Sequence, residues 1–570
     1  MRLPAGTDRD TRLARETIAA AAAAGMTVFD TAHAYGTGEA GVGANERLLA
    51  QALADSDQGH SARVITKGGM SRAGGAWVPD GRAKAIARDC EASLATLAPF
   101  AIDMYLIHAP DPRTPWRTSV RALARLVDQG LVPHVGLSNV NRSQLDEALE
   151  LAPVAAVEVA LSINDQRAAR GGIVERCHEL GIALLAHSPL GGPRRVGALL
   201  RNQPLIDAAA TQGATAAELA LAWLLDLSPA VIAIPGARRP ESARSAANAA
   251  TLTLDADGRE QLRRAFGGLP RTRAEPRLRG RDDGDVDVDV VIVMGIPGAG
   301  KSRLAEEYVG RGYVRLNRDE RGGSLRQIAD ELEATLASGA RHVVLDNTYL
   351  ARSARSYVVE TAARNGVAAR CIWLSTPLAQ AQVNLVARLL EQFETLPAPD
   401  ELRRLSRNAA GILTPTSQMR ALRELEEPSR DEGFAEVEVV PFARAPSSGE
   451  KRIGVLVAAA ALRTDGWEGA LEPEHRDAAH LVFDWRPDGT PDLLDPYLEQ
   501  LGRAVAGPVS AALCPHGGGP PACWCRPPLP GLALAFARTH GLDLASSVVV
   551  GCRPTDRTLA TALGARYVAV

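Results

Sequence analysis

Three groups of residues in this 570-residue chain have types and spacings that could do chemistry. The run Gly295-Ile-Pro-Gly298-Ala-Gly300-Lys301-Ser302 is a GxxxxGKS: its glycines leave backbone N–H groups free to cradle phosphate, Lys301 can neutralise β/γ oxygens, and Ser302 can ligate magnesium. ATP is the nucleotide expected there. Cys514-Pro-His516 and Cys523-Trp-Cys525 flank a glycine- and proline-rich loop, and four N/S donors so arranged suit a structural, tetrahedral zinc. The third group is Asp30 and Tyr35 in FDTAHAYG, Lys67 in ITKGG and His108 in YLIHAPD. A tyrosine with its ordinary pKa of ~10 is a poor acid at neutral pH. An ammonium held by a carboxylate is expected to lower that value and let the phenol protonate a developing alkoxide. Lys67 paired with Asp30 would do this for Tyr35. The chain has only four lysines among 64 cationic residues, and Lys67 and Lys301 both fall inside these motifs.

These residues need elements to position them. From Thr27 to Ala237 seven β-branched runs alternate with helix-length amphipathic stretches: TVFDTA, RVITKG, IDMYLIH, VPHVGLSN, AAVEVALS, IALLAHSPL and VIAIPGA. That alternation predicts βα units and a parallel sheet. Asp30, Lys67, His108, Ser138, Asn139 and His187 stand at the C-terminal ends of the runs, the face on which a (β/α)8 barrel builds its site. Met1 to Leu3 is all that is left for an eighth strand. The segment PRTRAEPRLRGRDDGDVDVD has no apolar periodicity and reads as a linker. VVIVMG then enters the glycine-rich loop, opening a second α/β domain, and ARAPSSGEK is a second linker. VLVAAAAL, HLVFDW, VSAALC, SVVVGC and ARYVAV predict a third, smaller α/β unit. The expected domains are 1–268, 289–443 and 452–570, joined by linkers 269–288 and 444–451.

The composition fits a soluble globular protein, with 46% apolar and 23% charged residues and a formal net charge of -3. No run approaches a membrane span and no secretory leader opens the chain, so the cytoplasm is the expected location and no membrane partner is expected. The net charge gives no global field for nucleic acid, so such binding must use a local patch. Seven cysteines are too few for a disulfide framework.

On DTAxxYG with Asn45-Glu46 downstream, the strand-end lysine and histidine, GLSN, AHSPLG and IPGARRPE, residues 1–268 resemble the aldo/keto reductases. The resemblance implies a TIM-type barrel that reduces a small carbonyl compound with NADP(H). Tyr35 would be the general acid, Lys67 and Asp30 its tuners, and His108 would orient the carbonyl. Ser138 and Asn139 would hold the nicotinamide carboxamide. His187 stands where the family stacks a tyrosine, and Glu158, where a glutamine is common, would accept the amide hydrogens. The family's basic residues fall on Gly236 and Ser242, which leaves Arg238, Arg239 and Arg244 for a 2′-phosphate.

With VRLNRDE, HVVLDNTYLARSAR, CIWLSTPLAQAQVNLVAR and PSRDEGFAEVEVV, the central domain resembles the polynucleotide 5′-kinase branch of P-loop phosphotransferases. Asp319 would then take the proton of the attacking hydroxyl, Asp346 would organise the acceptor site and the magnesium shell, and Arg388 would clamp the transferred phosphoryl group. The implied acceptor is a nucleic-acid 5′ end. The family's acceptor-phosphate arginine falls on Gly322, with Arg321 beside it. Arg352 and Arg355 are either part of the site or a solvated helix face.

The CxH…CxC loop, CRPPLPG and VVVGCRPTD resemble the zinc-loop subgroup of haloacid-dehalogenase-type phosphatases, implying a Rossmann-like fold. That chemistry requires an aspartate nucleophile and a second aspartate after the first strand; here Ala458 and Ala460 hold those positions. Pro527 replaces the family's lysine and Cys552 a magnesium-binding aspartate, leaving Asp556. A catalytically dead domain is expected. The whole reads as a bifunctional reductase and kinase, with a nucleotide-responsive scaffold, or a kinase of a small metabolite, as the alternatives.

Overall fold

The computed structural model describes residues 8–36, 41–267, 288–409, 411–443 and 452–570. The 444–451 linker, the 269–288 linker apart from Val288, and the Met1–Leu3 segment lie outside them. The chain divides into two compact units, one running to Ala274 and the other starting at Glu275.

In the first unit the seven expected runs form one sheet. Strands Val28–Asp30, Arg63–Gly68, Ile102–Ile107, Val135–Ser138, Val154–Ala160, Ala183–His187 and Val231–Ile234 lie side by side in chain order, every neighbouring pair parallel. Among the described residues no eighth strand joins them. Buried runs such as Val64, Ile65, Thr66 and Lys67 reflect a sheet covered on both faces, which parallel strands require. Inside the sheet Ile65, Leu106, Ala156 and Leu185 pack as a small apolar layer, the floor on which the polar strand ends stand. The connecting helices carry local start signals: capping boxes at Asn141 with Gln144 and Thr215 with Glu218 satisfy the free N–H groups of the first turns.

The second unit holds two five-stranded sheets. The first runs in the order Val314–Leu316, His342–Leu345, Asp289–Met294, Ala368–Ser375, Glu436–Pro441, all parallel. The second runs in the order Val509–Cys514, Ala479–Trp485, Gly454–Ala458, Val548–Gly551, Arg566–Ala569, again all parallel. The two expected domains, 289–443 and 452–570, thus pack as one compact body. The reason is a shared core: Leu385, Val386, Leu389, Leu390, Leu402 and Ile412 close around Trp524 and Leu529.

Candidate functional site

In the first unit the strand register brings the polar ends together. Asp30 pairs with Ile65, two residues before Lys67 on the adjacent strand, and Ser138 pairs with Glu158. Lys67 is fully buried. Its Nζ bonds Asp30 Oδ1 and the Thr31 carbonyl and lies 2.9 Å from Glu158 Oε2. Glu158, expected to meet the cofactor amide, is instead the second carboxylate of a buried triad. Although burial works against the ammonium, the two carboxylates raise the Lys67 pKa and keep it charged.

The Lys67 ammonium lies 5.5 Å from the centroid of the Tyr35 ring. The expected lowering of the Tyr35 pKa is not what the pocket does. Burial pushes the phenol up to about 12, and Asp30 and Glu158 add to that, outweighing the opposing pull of Lys67. Tyr35 is therefore held protonated as a proton donor must be. His108 sits edge-on to Tyr35, ring centroids 5.6 Å apart. Burial and then Lys67 bring its pKa down to about 3, so the imidazole is neutral; its Nδ1 is buried without a hydrogen-bond partner among the described residues.

Around this centre the loop bearing Tyr35 is pinned from below. Thr66 donates to Glu46 at 2.6 Å, His33 meets the same carboxylate at 3.3 Å, and Asn45 donates to Thr31 at 2.8 Å. Asn139 adopts a left-handed φ of 59° and Ser188 one of 53°, conformations uncommon outside glycine that concentrate at functional sites. Asn139 donates to the His108 carbonyl at 2.9 Å and to Ser138 Oγ at 3.1 Å, and His187 Nε2 meets its Oδ1 at 3.2 Å. Ser138, Asn139 and His187 thus form one polar rim beside His108, where a carboxamide and its ring would be held. Arg238, Arg239 and Arg244 are exposed around the start of helix Pro240–Asn248, free to meet a phosphate. Two residues were missed in the sequence. These are Trp77 and Arg72, in the turn of the hairpin that pairs Met70–Ser71 with Val78–Pro79: Trp77 packs edge-on to Tyr35 and His108, and Arg72 stacks on Trp77. Their only signal was position: they follow the lysine-bearing strand.

Two family models match the chain. Residues 4–265 match the aldo/keto reductase family and residues 290–407 an AAA domain. Residues 4–265 form an aldo/keto reductase domain. This domain is similar to the uncharacterized oxidoreductase C215.11c of Schizosaccharomyces pombe, 28% identical over 41% of this chain and 72% of that protein. It is also similar to the aldo-keto reductase str7 of Strobilurus tenacellus, 29% identical over 41% of this chain and 75% of that protein. Among solved structures it resembles the thermostable aldo-keto reductase Tm1743 with epalrestat, at 30% identity over 46% of this chain and 89% of that one, TM-score 0.39. A Klebsiella pneumoniae aldo/keto reductase with NADP and acetate is 25% identical over 47% and 89%, TM-score 0.40.

The aldo/keto reductase domain is followed by the AAA-type P-loop domain, whose site is a cavity of about 1580 Å³ lined by Lys301, Ser302, Asp319, Asp346, Arg388 and Arg420, among others. The loop from Gly295 to Gly300 lies between the central strand and helix Lys301–Val309. Gly298 has φ +89°, and a Cβ there would stand 2.3 Å from the Ala381 carbonyl, so only glycine lets the loop lie against helix Leu378–Phe393. Three side chains the sequence reading passed over brace the loop carbonyls: Asn384 to Gly298 at 2.8 Å, Gln418 to Pro297 at 3.1 Å and Thr376 to Ala299 at 3.2 Å. Lys301 Nζ donates to the Gly295 and Ile296 carbonyls at 2.9 and 3.2 Å; burial lowers its pKa to about 8, opposed by Asp346 and Asp319.

Asp319 stands half exposed on the short helix Arg318–Arg321, whose start is held by Asn317 Oδ1 accepting from Asp319 N at 2.7 Å. Asp346 works one step behind it. Arg315 grips both its oxygens, at 2.6 and 3.1 Å, and Asn317 donates to it at 2.8 Å. The carboxylate expected to order magnesium is thus engaged in anchoring the turn that presents Asp319. Arg388 lines the cavity and donates to the Gly411 carbonyl at 2.5 Å. Arg321 turns away to Glu331 at 3.2 Å. Arg355 is no solvated face: fully buried, it forks onto Glu432 at 2.6 and 2.7 Å and donates to the carbonyls of Tyr349, Leu350 and Glu426. Arg352 pairs with Asp431 at 2.8 Å. Both arginines serve structure, because the 426–432 segment folds back over their helix.

In the third sheet the ligand atoms of Cys514, His516, Cys523 and Cys525 all lie within 4.8 Å of one another. Sγ of Cys514 is 3.7 Å from Cys523 and 3.4 Å from Cys525, and His516 Nδ1 is 3.5 Å from Cys514 and 3.2 Å from Cys525. A tetrahedral ion with bonds of about 2.0–2.3 Å has edges of this length, so the four could hold zinc. Ala458 and Ala460 are buried at the end of their strand. Asp556 is spent on its own loop, accepting from Cys552 N at 3.2 Å and Arg553 N at 3.0 Å.

Proposed function

We propose that the chain combines an NADP(H)-dependent carbonyl reductase with an ATP-dependent hydroxyl kinase, the latter acting on nucleic-acid 5′ ends. The observation that carries the first half is the convergence of Tyr35, His108 and Lys67 from three strand ends. When bound, the nicotinamide supplies the hydride. Ser138, Asn139 and His187 hold its ring end, and Arg238, Arg239 and Arg244 meet the 2′-phosphate. Neutral His108 donates a hydrogen bond that fixes the carbonyl oxygen. Tyr35 passes its proton to that oxygen, and the Lys67 ammonium stabilises the phenolate left behind. Asp30 keeps Lys67 protonated and in place, with Glu158 beside it. Loss of NADPH oxidation with a test aldehyde in Tyr35→Phe, with cofactor binding kept, tests this half.

In the kinase half the braced loop and Lys301 hold the β- and γ-phosphates, Ser302 would hold magnesium, and Arg388 neutralises the transferring group. Asp319 takes the hydroxyl proton. The cationic lining, with Arg318, Arg388, Arg407 and Arg420 facing the cavity, supports a polyanionic acceptor. The pairing of Arg321 with Glu331 favours a second reading, a small hydroxyl compound as acceptor. Transfer of the γ-phosphate of ATP to 5′-hydroxyl DNA and RNA oligonucleotides, beside nucleosides and small alcohols, separates the two. The C-terminal sheet, with alanines for its nucleophile and acid, is a non-hydrolysing unit held by zinc.

A further inference from the structure

We propose that the carbonyl compound taken by the reductase site carries an anionic group, a carboxylate or a phosphate, and that Arg72 binds it; the proposal rests on the reductase reading and specifies its substrate. Arg72 is 7% exposed, and its Nε and Nη1 are buried without a hydrogen-bond partner among the described residues. Among the described residues no carboxylate pairs with it. Its contact is with Trp77: the guanidinium carbon lies 4.0 Å from the indole centroid. The same indole, 42% exposed, meets Tyr35 edge-on at 6.1 Å and His108 at 5.6 Å, so it bridges the cation to the two residues that hold the carbonyl.

Removing a guanidinium from water without giving it acceptors is expensive, and stacking on an indole repays only part of that. The other arginines nearby are satisfied. Arg82 forks onto Asp80 at 2.6 and 2.7 Å and Arg113 meets Asp111 at 3.0 Å. The fully buried Arg355 has a carboxylate and three carbonyls. Arg72 differs from all of them in having none among the described residues, and a planar guanidinium matches the two oxygens of a carboxylate or phosphate. Lys67 cannot serve instead, because Asp30 already pairs with it. The arrangement fits an aldehyde or ketone whose carbonyl sits at Tyr35 and His108, whose short carbon chain lies along Trp77, and whose anionic end reaches Arg72.

The test uses the full-length protein with NADPH and matched pairs: 4-oxobutanoate against its methyl ester, and glyceraldehyde 3-phosphate against glyceraldehyde. In the natural protein kcat/KM should favour the charged member of at least one pair, and which pair responds separates carboxylate from phosphate. In Arg72→Met that preference should fall by roughly 10²-fold, mostly through KM, as expected for one lost charge pair, and Arg72→Lys should restore part of it. Equal turnover of charged and neutral members, or an equal loss for both in Arg72→Met, overturns the proposal. If no aldehyde is reduced at all, the reductase reading fails by itself. Calorimetric binding of succinate and of inorganic phosphate to the NADP-loaded protein then decides the anion site: binding abolished by Arg72→Met upholds it, and no binding removes it.

Discussion

The indole nitrogen of Trp524 donates to the backbone carbonyl of Leu413 at 2.9 Å. Trp524 stands between Cys523 and Cys525 and is 2% exposed, while Leu413 follows Gly411, whose carbonyl receives Arg388. Helix Leu378–Phe393, which carries Arg388 and the loop-bracing Asn384, packs on the same tryptophan through Leu385 and Leu389, and Arg538 of the third sheet's helix bonds the Leu390 carbonyl. The CxH…CxC loop is therefore packed against the wall of the P-loop cavity, which Leu413 lines.

That relationship predicts coupling. The purified protein should carry about one tetrahedral zinc, and Cys523→Ser should lose it. Trp524→Ala should destabilise the second unit by about 3–5 kcal/mol, the usual loss for a buried tryptophan, and weaken ATP-dependent transfer. NADPH-dependent reduction should fall far less. Metal analysis, thermal unfolding and the two activity assays on the same preparations check this; an equal loss of both activities contradicts it.

The two kinase residues should fail differently. Lys301→Ala should weaken the nucleotide complex and stop transfer. Asp319→Asn should keep ATP bound and slow transfer by roughly 10²–10⁴-fold, the usual cost of losing a general base. Nucleotide titration and single-turnover transfer measure both, and an unaffected rate in Asp319→Asn would remove it from the site.

A pH dependence follows from Glu158. Burial, and then the nearby Asp30, pushes its carboxyl up to about 8. Between the ordinary carboxylate range and that value the folded chain holds a proton that the unfolded chain has released, so stability from this group is full at low pH and is lost as pH rises to about 8. In Glu158→Gln this slope should vanish. Melting temperatures from about pH 5 to about pH 9 should show the variant gaining on the natural protein as pH rises; parallel curves would show that Glu158 is ionised throughout.

Arg355→Met should cost about 3–5 kcal/mol, because Glu432 would be left as an uncompensated buried charge. Chemical denaturation followed in the second unit measures this. Restoring neutrality with Glu432→Gln in the same chain should recover part of the loss, which a defect in packing alone would not.

Much of this protein was legible in its residues. The seven sheet strands of the reductase domain, the strand that enters the P-loop and the five of the last sheet were legible as apolar runs, and GxxxxGKS and the CxH…CxC loop are local in sequence, so spacing alone locates them; the largely exposed edge strand Glu436–Pro441 carried no such run. Strand-end position likewise marked Asp30, Tyr35, Lys67 and His108. What only the tertiary structure decided are the contacts between distant segments. Glu158 became a partner of Lys67 because two strands face each other across the sheet interior. Tyr35 kept its proton because burial outweighs one ammonium, a balance no spacing reveals. Arg355 proved an anchor, and Asp346, while lining the cavity, also anchors the turn before Asp319, because partners 77 and 31 residues away in sequence are brought against them, and Trp524 joined the CxH…CxC loop to the P-loop domain because a side chain's burial depends on what the rest of the chain places against it.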